Sequence, residues 1–215
     1  MTPKSTVSLA ALSVALIAFG ATLSAHAATD TDGDGIPDKA EALLGTDPLV
    51  ADTNGNGVSD KAEPKPLEMA SPLPQNGKAG GIAIKSAIVE NNEDPKTHKG
   101  VDDHLELQLQ NLTGADINGV EVFVTLKDSV TGATENTYRK LAGVIIAKKG
   151  VATLHFDPKG TVDFAAVTDR FRANPNSALY KTPNEKTLKI EVAAAGFAPV
   201  SIDIKKDKGG AETND

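Results

Sequence analysis

Two stretches of the chain repeat a set of oxygen-bearing side chains at the same spacing. The first stretch covers residues 30–41 and the second covers residues 52–63, an offset of 22 positions (52 minus 30). Each stretch has an acid or an amide at positions 1, 3, 5, 9 and 12 and a glycine at position 6. Short oxygen side chains at alternate positions of a bent loop can all turn toward one point. The pattern therefore favours coordination of a hard cation.

Calcium is the cation that suits this spacing, because it takes about six to eight oxygen ligands at roughly 2.3–2.6 Å. The sequence predicts two Ca²⁺ sites. Their predicted ligands are Asp30, Asp32, Asp34, the carbonyl of Ile36, Asp38 and Glu41, then Asp52, Asn54, Asn56, the carbonyl of Val58, Asp60 and Glu63. The first loop is expected to bind more tightly, because five of its side-chain ligands are acids, against three in the second loop. An acidic turn without an ion is the alternative, which two copies in register disfavour.

The two loops, with Leu44-Gly45-Thr46-Asp47-Pro48 between them, resemble the thrombospondin type 3 repeats of bacterial secreted proteins. The resemblance implies that the loops wrap calcium without paired EF-hand helices. Dockerin modules repeat a calcium loop at a similar spacing, but they continue each loop into a longer helix. Pro64 follows the second loop directly and would stop such a helix. The resemblance covers only residues 30–63.

The start of the chain has the pattern of a secretory signal peptide. Lys4 precedes an almost wholly apolar stretch at residues 7–19, and Ala25-His26-Ala27 provides the small residues of a cleavage site. About 13 apolar residues are too few for a membrane anchor. We therefore expect residues 1–27 to be removed, with no membrane span after cleavage, and the protein to be secreted or periplasmic. The chain has no cysteine, which excludes disulfide bonds and a lipid-bearing cysteine.

The negative charge of the chain is concentrated in the repeat region. Residues 28–68 hold ten acids and three lysines, net −7, whereas residues 69–215 hold nineteen acids and eighteen bases, net −1. This distribution predicts that bound ions neutralise the repeats and that residues 28–63 are largely unfolded without calcium. A segment at 43–49 is expected to pack between the loops. No basic patch indicates a nucleic-acid partner.

A linker and a mainly β domain follow the loops. Four prolines and three glycines at 64–81 predict a linker that decouples the two parts. Period-two alternation then predicts an antiparallel β-sandwich at 82–205, and a polar tail at 206–215. The predicted strands are 82–89, 104–110, 120–126, 135–141, 144–147, 151–156, 187–194 and 200–205. A short helix is expected within 162–181, before the turn Asn174-Pro175-Asn176.

The run Asn111-Leu112-Thr113-Gly114, followed by Gly119-Val120-Glu121-Val122, resembles bacterial immunoglobulin- or fibronectin-type sandwiches. This resemblance implies an immunoglobulin-like fold of the second half. The same run contains an Asn-x-Thr glycosylation sequence, a short pattern that also arises by chance.

The sequence does not indicate an enzyme. It has no nucleophile elbow, phosphate loop or dinucleotide fingerprint. A transition-metal site formed by His98, Asp102, Asp103 and His104 is one interpretation, and a solvated loop is the favoured one. Six Phe, two Tyr and no Trp give little aromatic surface for binding carbohydrate.

Three functional hypotheses follow from these patterns. The favoured one is a non-enzymatic calcium-binding protein, whose repeats form a spacer that presents a sandwich for adhesion to an unknown extracellular protein or surface partner. The second is a small secreted hydrolase or its accessory module. The third is a dockerin-like docking module.

Overall fold

Two four-stranded sheets contain most of the described residues after residue 81. The computed structural model describes residues 28–90, 104–158 and 170–208. Its strands are β1 (Ile82–Glu90), β2 (His104–Asn111), β3 (Val120–Asp128), β4 (Thr134–Leu141), β5 (Val151–Asp157), β6 (Arg170–Arg172), β7 (Lys186–Ala193) and β8 (Val200–Lys206). One sheet has the order β1-β2-β5-β6 and the other has the order β4-β3-β7-β8. All neighbouring pairs are antiparallel except β5–β6. The predicted mainly β, two-sheet fold is confirmed.

The core between the sheets is built by the alternation that the sequence shows. On β2, Leu105, Leu107 and Leu109 are buried and their neighbours along the strand are only partly covered. They pack with residues of β3, β5, β6 and β7, including Leu154 and Phe171. Of the other predicted core residues, Val120 and Val122 are buried, and Val124 and Phe156 are partly buried against the cluster.

Two local predictions differ from the structure. Residues 144–147 form no strand, and only Ile146 makes an isolated bridge, to Ile117. Residues 162–169, where a helix was expected before the 174–176 turn, lie outside the described ranges, and a short helix at Ala178–Lys181 follows that turn, with Ser177 capping it by accepting the N–H of Leu179. Lys206 belongs to β8 and is buried, so the strand runs into the predicted polar tail.

The proline- and glycine-rich segment 64–81 packs on the sandwich. Leu73 is buried against Phe123 and Ala193. A Cβ at Gly77 or Gly81 would overlap Phe197, so these glycines allow a close approach of two segments. These contacts contradict the expectation that segment 64–81 decouples the two parts, and the domain boundaries themselves stay predictions.

Some predictions fall on residues outside the described ranges. These are the signal peptide at 1–27, the group His98, Asp102 and Asp103, and the end of the tail after residue 208. Among the residues that are described, no helix has the length and apolar character needed to cross a membrane.

Candidate metal centre in the repeat region

The first loop (residues 30–41, "loop 1") and the second loop ("loop 2", residues 52–63) close in the same way. In loop 1 the N–H of Asp38 donates to the carbonyl of Thr29 at 2.9 Å, and in loop 2 the N–H of Asp60 donates to the carbonyl of Ala51 at 2.8 Å. The position-9 carboxylate then accepts both the N–H and the hydroxyl of the threonine at position 2. These distances are 2.8 and 2.7 Å from Thr31 to Asp38, and 2.9 and 2.6 Å from Thr53 to Asp60.

These bonds give Asp38 and Asp60 a role that the sequence analysis did not assign. Both were predicted as metal ligands, and in the structure both oxygens of each carboxylate hold the loop's own threonine. A repeated threonine at position 2 was the signal in the sequence. Asp38 also begins the helix α1 (Asp38–Leu44), and Asp60 begins a short 3₁₀ helix, Asp60–Ala62.

The aspartate at position 1 holds the turn of each loop. Asp30 accepts the N–H groups of Gly33 and Gly35 at 2.9 and 3.0 Å. Asp52 accepts the equivalent N–H groups of Gly55 and Gly57, at 2.9 and 2.7 Å. All four glycines have positive φ, between 76° and 92°, a region that L side chains rarely adopt. The glycine at position 6 was predicted from the loop pattern.

Three buried carboxylate oxygens of loop 1 have no hydrogen-bond donor in the described structure. Asp32 accepts the N–H of Asp34 with Oδ1 at 3.1 Å, and Asp34 accepts the N–H of Ile36 with Oδ1 at 2.6 Å. The other oxygen of each side chain, Oδ2, is buried and has no partner in the described structure, and the same holds for Oε2 of Glu41. Glu41 is fully buried. Ligand oxygens of Asp30, Asp32 and Asp34 lie within 4.8 Å of one another, a spacing that one metal ion can bridge.

The electrostatics of loop 1 favour a cation. Burial raises the pKa of Glu41 to about 7, helped by the negative charges of Asp32, Asp34 and Asp38 and opposed by a hydrogen bond from Thr46. Burial also raises the pKa of Asp32, and the charges of Asp34, Asp30 and Asp47 add to the effect. When carboxylates are buried together without donors, their ionised forms are disfavoured by lost solvation and by mutual repulsion. A bound cation offsets both effects.

Loop 2 has the same backbone bonds but a different inner surface. Asn54 and Asn56 accept the N–H groups of Asn56 and Val58 with Oδ1, at 2.9 and 2.7 Å. Their amide nitrogens donate to the two oxygens of Glu63, each at 2.8 Å. The predicted ligands Asn54, Asn56 and Glu63 therefore do come together, but they satisfy one another.

Residues between the loops join them to each other. Thr46 donates its hydroxyl to Glu41 of loop 1 at 3.3 Å, while the N–H of Asp47 donates to Thr53 of loop 2 at 2.8 Å. Lys61 of loop 2 donates its ammonium to the carbonyl of Gly35 at 2.6 Å. Within the segment 43–49, Thr46 and Asp47 are buried and contact the two loops, whereas Leu43, Leu44 and Leu49 are exposed. Polar contacts hold the loops together instead.

The repeat region is attached to one end of the sandwich by charged and amide side chains. Arg172 forms an ion pair with Asp47, and both side chains are buried. Asn174 and Asn176 donate to the carbonyls of Gly45 and Thr46 at 2.6 and 2.7 Å. No local sequence pattern marked these partners, which lie about 130 positions from the repeats.

Loop 2 and the following segment cover the free edge of β4. The N–H of Tyr138 donates to the carbonyl of Asn54 at 2.8 Å, and the N–H of Asn136 donates to the carbonyl of Leu67 at 2.7 Å. Arg139 also donates to the carbonyl of Thr53 at 3.0 Å. An edge strand left open is a template for pairing with other chains. The repeat region therefore protects this edge of the sheet.

The histidine cluster considered from the sequence is only partly described. His155 lies opposite Glu106, with Nε2 at 3.3 Å from a carboxylate oxygen, and the rings of His104 and His155 are 5.7 Å apart between centroids. These two histidines come from neighbouring strands and lie on one sheet face, a pairing that only the strand register shows.

Other features of the sequence find structural explanations. Asn111 of the glycosylation sequence is buried, and its amide donates to the carbonyls of Ala115, Ile146 and Ala147 at 2.7–3.1 Å. This side chain holds the 111–117 turn against the 146–147 segment.

Comparison with known proteins identifies the first loop and leaves the sandwich unassigned. A family model described as the bacterial TSP3 repeat matches residues 30–51. No curated protein sequence matches the chain. Among solved structures, the chain is similar to a target of the Northeast Structural Genomics Consortium, with 12% identity and a TM-score of 0.36 over 64% of this chain and 94% of that one.

Two further solved structures are similar at the same low level. One is a β-glucosidase involved in saponin metabolism from intestinal bacteria, with 13% identity and a TM-score of 0.29 over 58% of this chain and 16% of that one. The other is a putative late embryogenesis abundant protein, with 17% identity and a TM-score of 0.32 over 59% of this chain and 71% of that one. Residues 30–51, which contain the Asp30–Asp32–Asp34 cluster and Glu41, thus match the model of the bacterial TSP3 repeat.

Proposed function

We propose that this chain is a secreted or periplasmic, non-enzymatic calcium-binding protein. In this proposal an ion held by loop 1 fastens the repeat region to the β-sandwich, and the sandwich contacts an extracellular protein or surface. The observation that carries the proposal is the set of three buried carboxylate oxygens, from Asp32, Asp34 and Glu41, that have no donor in the described structure.

Calcium fits the ligand chemistry of loop 1 better than other common ions. All the side chains that face the site carry oxygen, which suits a hard cation and not zinc or copper. The ligands come from a bent loop and a following helix, and calcium tolerates such irregular geometry, whereas magnesium requires a near-ideal octahedron. Asp30, Asp32, Asp34 and Glu41 would hold the ion, and Asp38 would hold the loop through Thr31.

The contacts around Glu41 support a fastening role for the ion. Glu41 accepts the hydroxyl of Thr46, and the carbonyl of Thr46 accepts the amide of Asn176 on the sandwich. Asp47, the next residue, pairs with Arg172. An ion that fixes Glu41 therefore orders the turn through which the repeats contact the sandwich. This proposal replaces the independent spacer expected from the sequence.

The proposal of secretion rests on other support. The pattern of residues 1–27 favours export, and the TSP3 match at residues 30–51 agrees with a calcium-rich compartment outside the cytoplasm. Calcium there is abundant enough for a site with a Kd of roughly 10⁻⁴–10⁻³ M.

Calcium titration of the full chain by calorimetry tests the proposal. We expect saturable binding in that affinity range, and loss of binding in Glu41→Gln. Thermal unfolding of the sandwich should shift upward with calcium, approaching about 2.7 kcal/mol of added stability at roughly 100 times the Kd. Absence of heat up to about ten millimolar calcium, well above the range for extracellular modules, would contradict the proposal.

A further inference from the structure

We propose that the β-sandwich carries a metal site of its own, in which His104 and His155 share one divalent ion of the imidazole-preferring kind, such as Zn²⁺, Ni²⁺ or Cu²⁺. His104 lies on β2 and His155 lies on the neighbouring strand β5. Glu106 positions His155 and does not bind the ion. The site is separate from both calcium loops and does not rest on the function proposed for loop 1.

The strand register places the two histidines on the same face of the sheet. Glu106 lies directly opposite His155 in the antiparallel β2–β5 pair. His104 is two residues before Glu106, so it lies diagonal to His155 on that face. The intervening residues Leu105 and Leu107 point the other way and are buried in the core. A metal ion can therefore reach the histidines from the solvent side without opening the core.

The spacing of the two rings suits one bridging ion. The ring centroids of His104 and His155 are 5.7 Å apart, and the ring planes are tilted by 38°. A metal–nitrogen distance of about 2.0–2.1 Å places the centroids of two coordinated imidazoles about 4.5–6.5 Å apart. The observed separation falls within that range. Rotation about χ2 of His104, a soft torsion, turns a ring nitrogen toward the ion without movement of the backbone.

His155 has a ring nitrogen that lacks a partner. Its Nε2 lies 3.3 Å from Oε2 of Glu106. In the neutral ring the hydrogen on Nε2 donates to this carboxylate, and the lone pair then lies on Nδ1. Nδ1 is buried and has no hydrogen-bond partner in the described structure. A buried acceptor without a donor costs free energy, and coordination of a cation uses that lone pair.

The carboxylate of Glu106 is held in place to orient His155. Its Oε1 accepts the side-chain amide of Gln108 at 3.1 Å, while Oε2 faces Nε2 of His155. The side chains of Glu106 and His155 are each 21% exposed, which leaves an approach from solvent. A carboxylate that accepts the second ring N–H of a ligating histidine fixes the tautomer and raises the basicity of the ligand. Loss of this carboxylate should therefore weaken metal binding without abolishing it.

Titration of the full, untagged chain with Zn²⁺ by calorimetry tests the proposal, in about ten millimolar calcium so that the oxygen-rich loops are occupied by the harder ion. We expect one zinc site that is lost in His104→Ala and in His155→Ala. Glu106→Gln should raise the Kd about 10–100-fold. Gln110→Ala, on the same face of β2, is the matched control and should bind zinc as the unaltered protein does. Absence of zinc binding in the unaltered protein, or binding that survives His104→Ala/His155→Ala, would overturn the proposal. An unchanged Kd in Glu106→Gln would overturn the positioning role of that residue.

Nitrogen-15 NMR of the imidazole rings gives a second readout that uses the unaltered chain, so it decides the proposal even if a variant fails to fold. Zinc should shift the Nδ1 resonance of His155 and leave its Nε2 protonated, and a ring nitrogen of His104 should shift in step with it. His98, which lies outside the described residues, serves as the internal reference and should keep its resonances. Zinc that shifted His98 and left His155 unchanged would place the ion in the 98–104 group considered from the sequence, and would overturn the proposal.

Discussion

Loop 1 and loop 2 share the same backbone hydrogen bonds, a threonine at position 2 that binds the position-9 carboxylate, and a glycine turn. Their inward side chains, however, are hydrogen-bonded differently. In loop 1 one carboxylate oxygen each of Asp32, Asp34 and Glu41 is buried without a donor. In loop 2 two NH₂ groups at the equivalent positions face Glu63 and satisfy it. Loop 1 thus keeps unpartnered carboxylate oxygens, whereas the two asparagines of loop 2 donate to the position-12 carboxylate.

The two loops also differ in their surroundings. Loop 2 lies against the edge of β4, whereas loop 1 contacts loop 2 through Lys61 and the sandwich through the Thr46–Asp47 turn. The loop that is satisfied internally is the one that protects the sheet edge. The backbone bonds to the edge of β4 come from Asn54 and Leu67, and neither residue belongs to loop 1.

The largest expected effect comes from making loop 1 resemble loop 2. Asp32→Asn/Asp34→Asn should weaken calcium binding by about two orders of magnitude or more, because ligand charge sets affinity in such loops. In chelator the same variant should be more stable than the unaltered protein, by about 1–3 kcal/mol, since the new amides can donate to Glu41. Thermal unfolding and calorimetry measure both effects. Asp203→Asn, at an exposed carboxylate on β8, is the matched control and should change neither. If Asp32→Asn/Asp34→Asn were less stable than the unaltered protein in chelator, the new amides would not be donating to Glu41.

Removing the position-12 carboxylates should have effects of opposite sign. In chelator, Glu41→Gln should stabilise the protein, because burial raises the pKa of this side chain to about 7 and its charge lacks a donor. Glu63→Gln should destabilise it by about 1–3 kcal/mol, because one of the two amides loses its acceptor. Urea unfolding of both variants without calcium gives the two signs. Equal signs would mean that the loops do not differ in their internal bonding.

Alanine at position 4 compares how tightly the loops pack on the sandwich. Gly33 and Gly55 both have positive φ, 76° and 86°, so each substitution should cost about 1–2 kcal/mol of backbone strain. A Cβ at Gly55 would also overlap the carbonyl of Tyr138, whereas a Cβ at Gly33 meets nothing within 4 Å. Gly55→Ala should therefore be more destabilising by about 1–3 kcal/mol. Equal losses of melting temperature would show that loop 2 is not seated on β4.

The smallest expected effect concerns Asp128 of the sandwich, a carboxylate that, like Glu63, accepts hydrogen bonds from neighbouring groups. The N–H of Thr131 and further bonds from Asn184, Val130 and Thr182 lower the pKa of Asp128 from its usual 3.8, against the effect of burial. The ionised form therefore stabilises the fold above the unfolded pKa, and this contribution is lost as the pH falls through the folded value.

Asp128→Asn should accordingly destabilise the protein by about 1 kcal/mol at neutral pH. The difference between the two proteins should stay constant above about pH 5 and shrink as the pH falls below about 4. Chemical unfolding at several pH values measures it. A difference that grew toward acid pH would contradict the sign of the pKa shift.

The strands were predictable where burial on one face leaves a period of two in the sequence. β2 shows this best, with three leucines inward at alternate positions. β6 lies within a segment that carried no alternation, and it joins the sheet by a parallel pairing with β5 that depends on a distant partner. The stretch at 144–147 has the composition of a strand but forms only the Ile117–Ile146 bridge. Composition does not reveal whether a strand finds a partner.

By itself the sequence determined the loop register, the glycine turns, the gathering of acids in loop 1 and the alternation that builds the core. These features depend on residues close together in the chain, and local geometry follows from local residue types. Only the tertiary structure decided that 64–81 packs on the sandwich and that Arg172 meets Asp47. It also decided which atom of Asn54 and Asn56 faces Glu63. Each of these outcomes depends on partners distant in sequence or on the direction of a backbone N–H. The type of a single residue reveals neither.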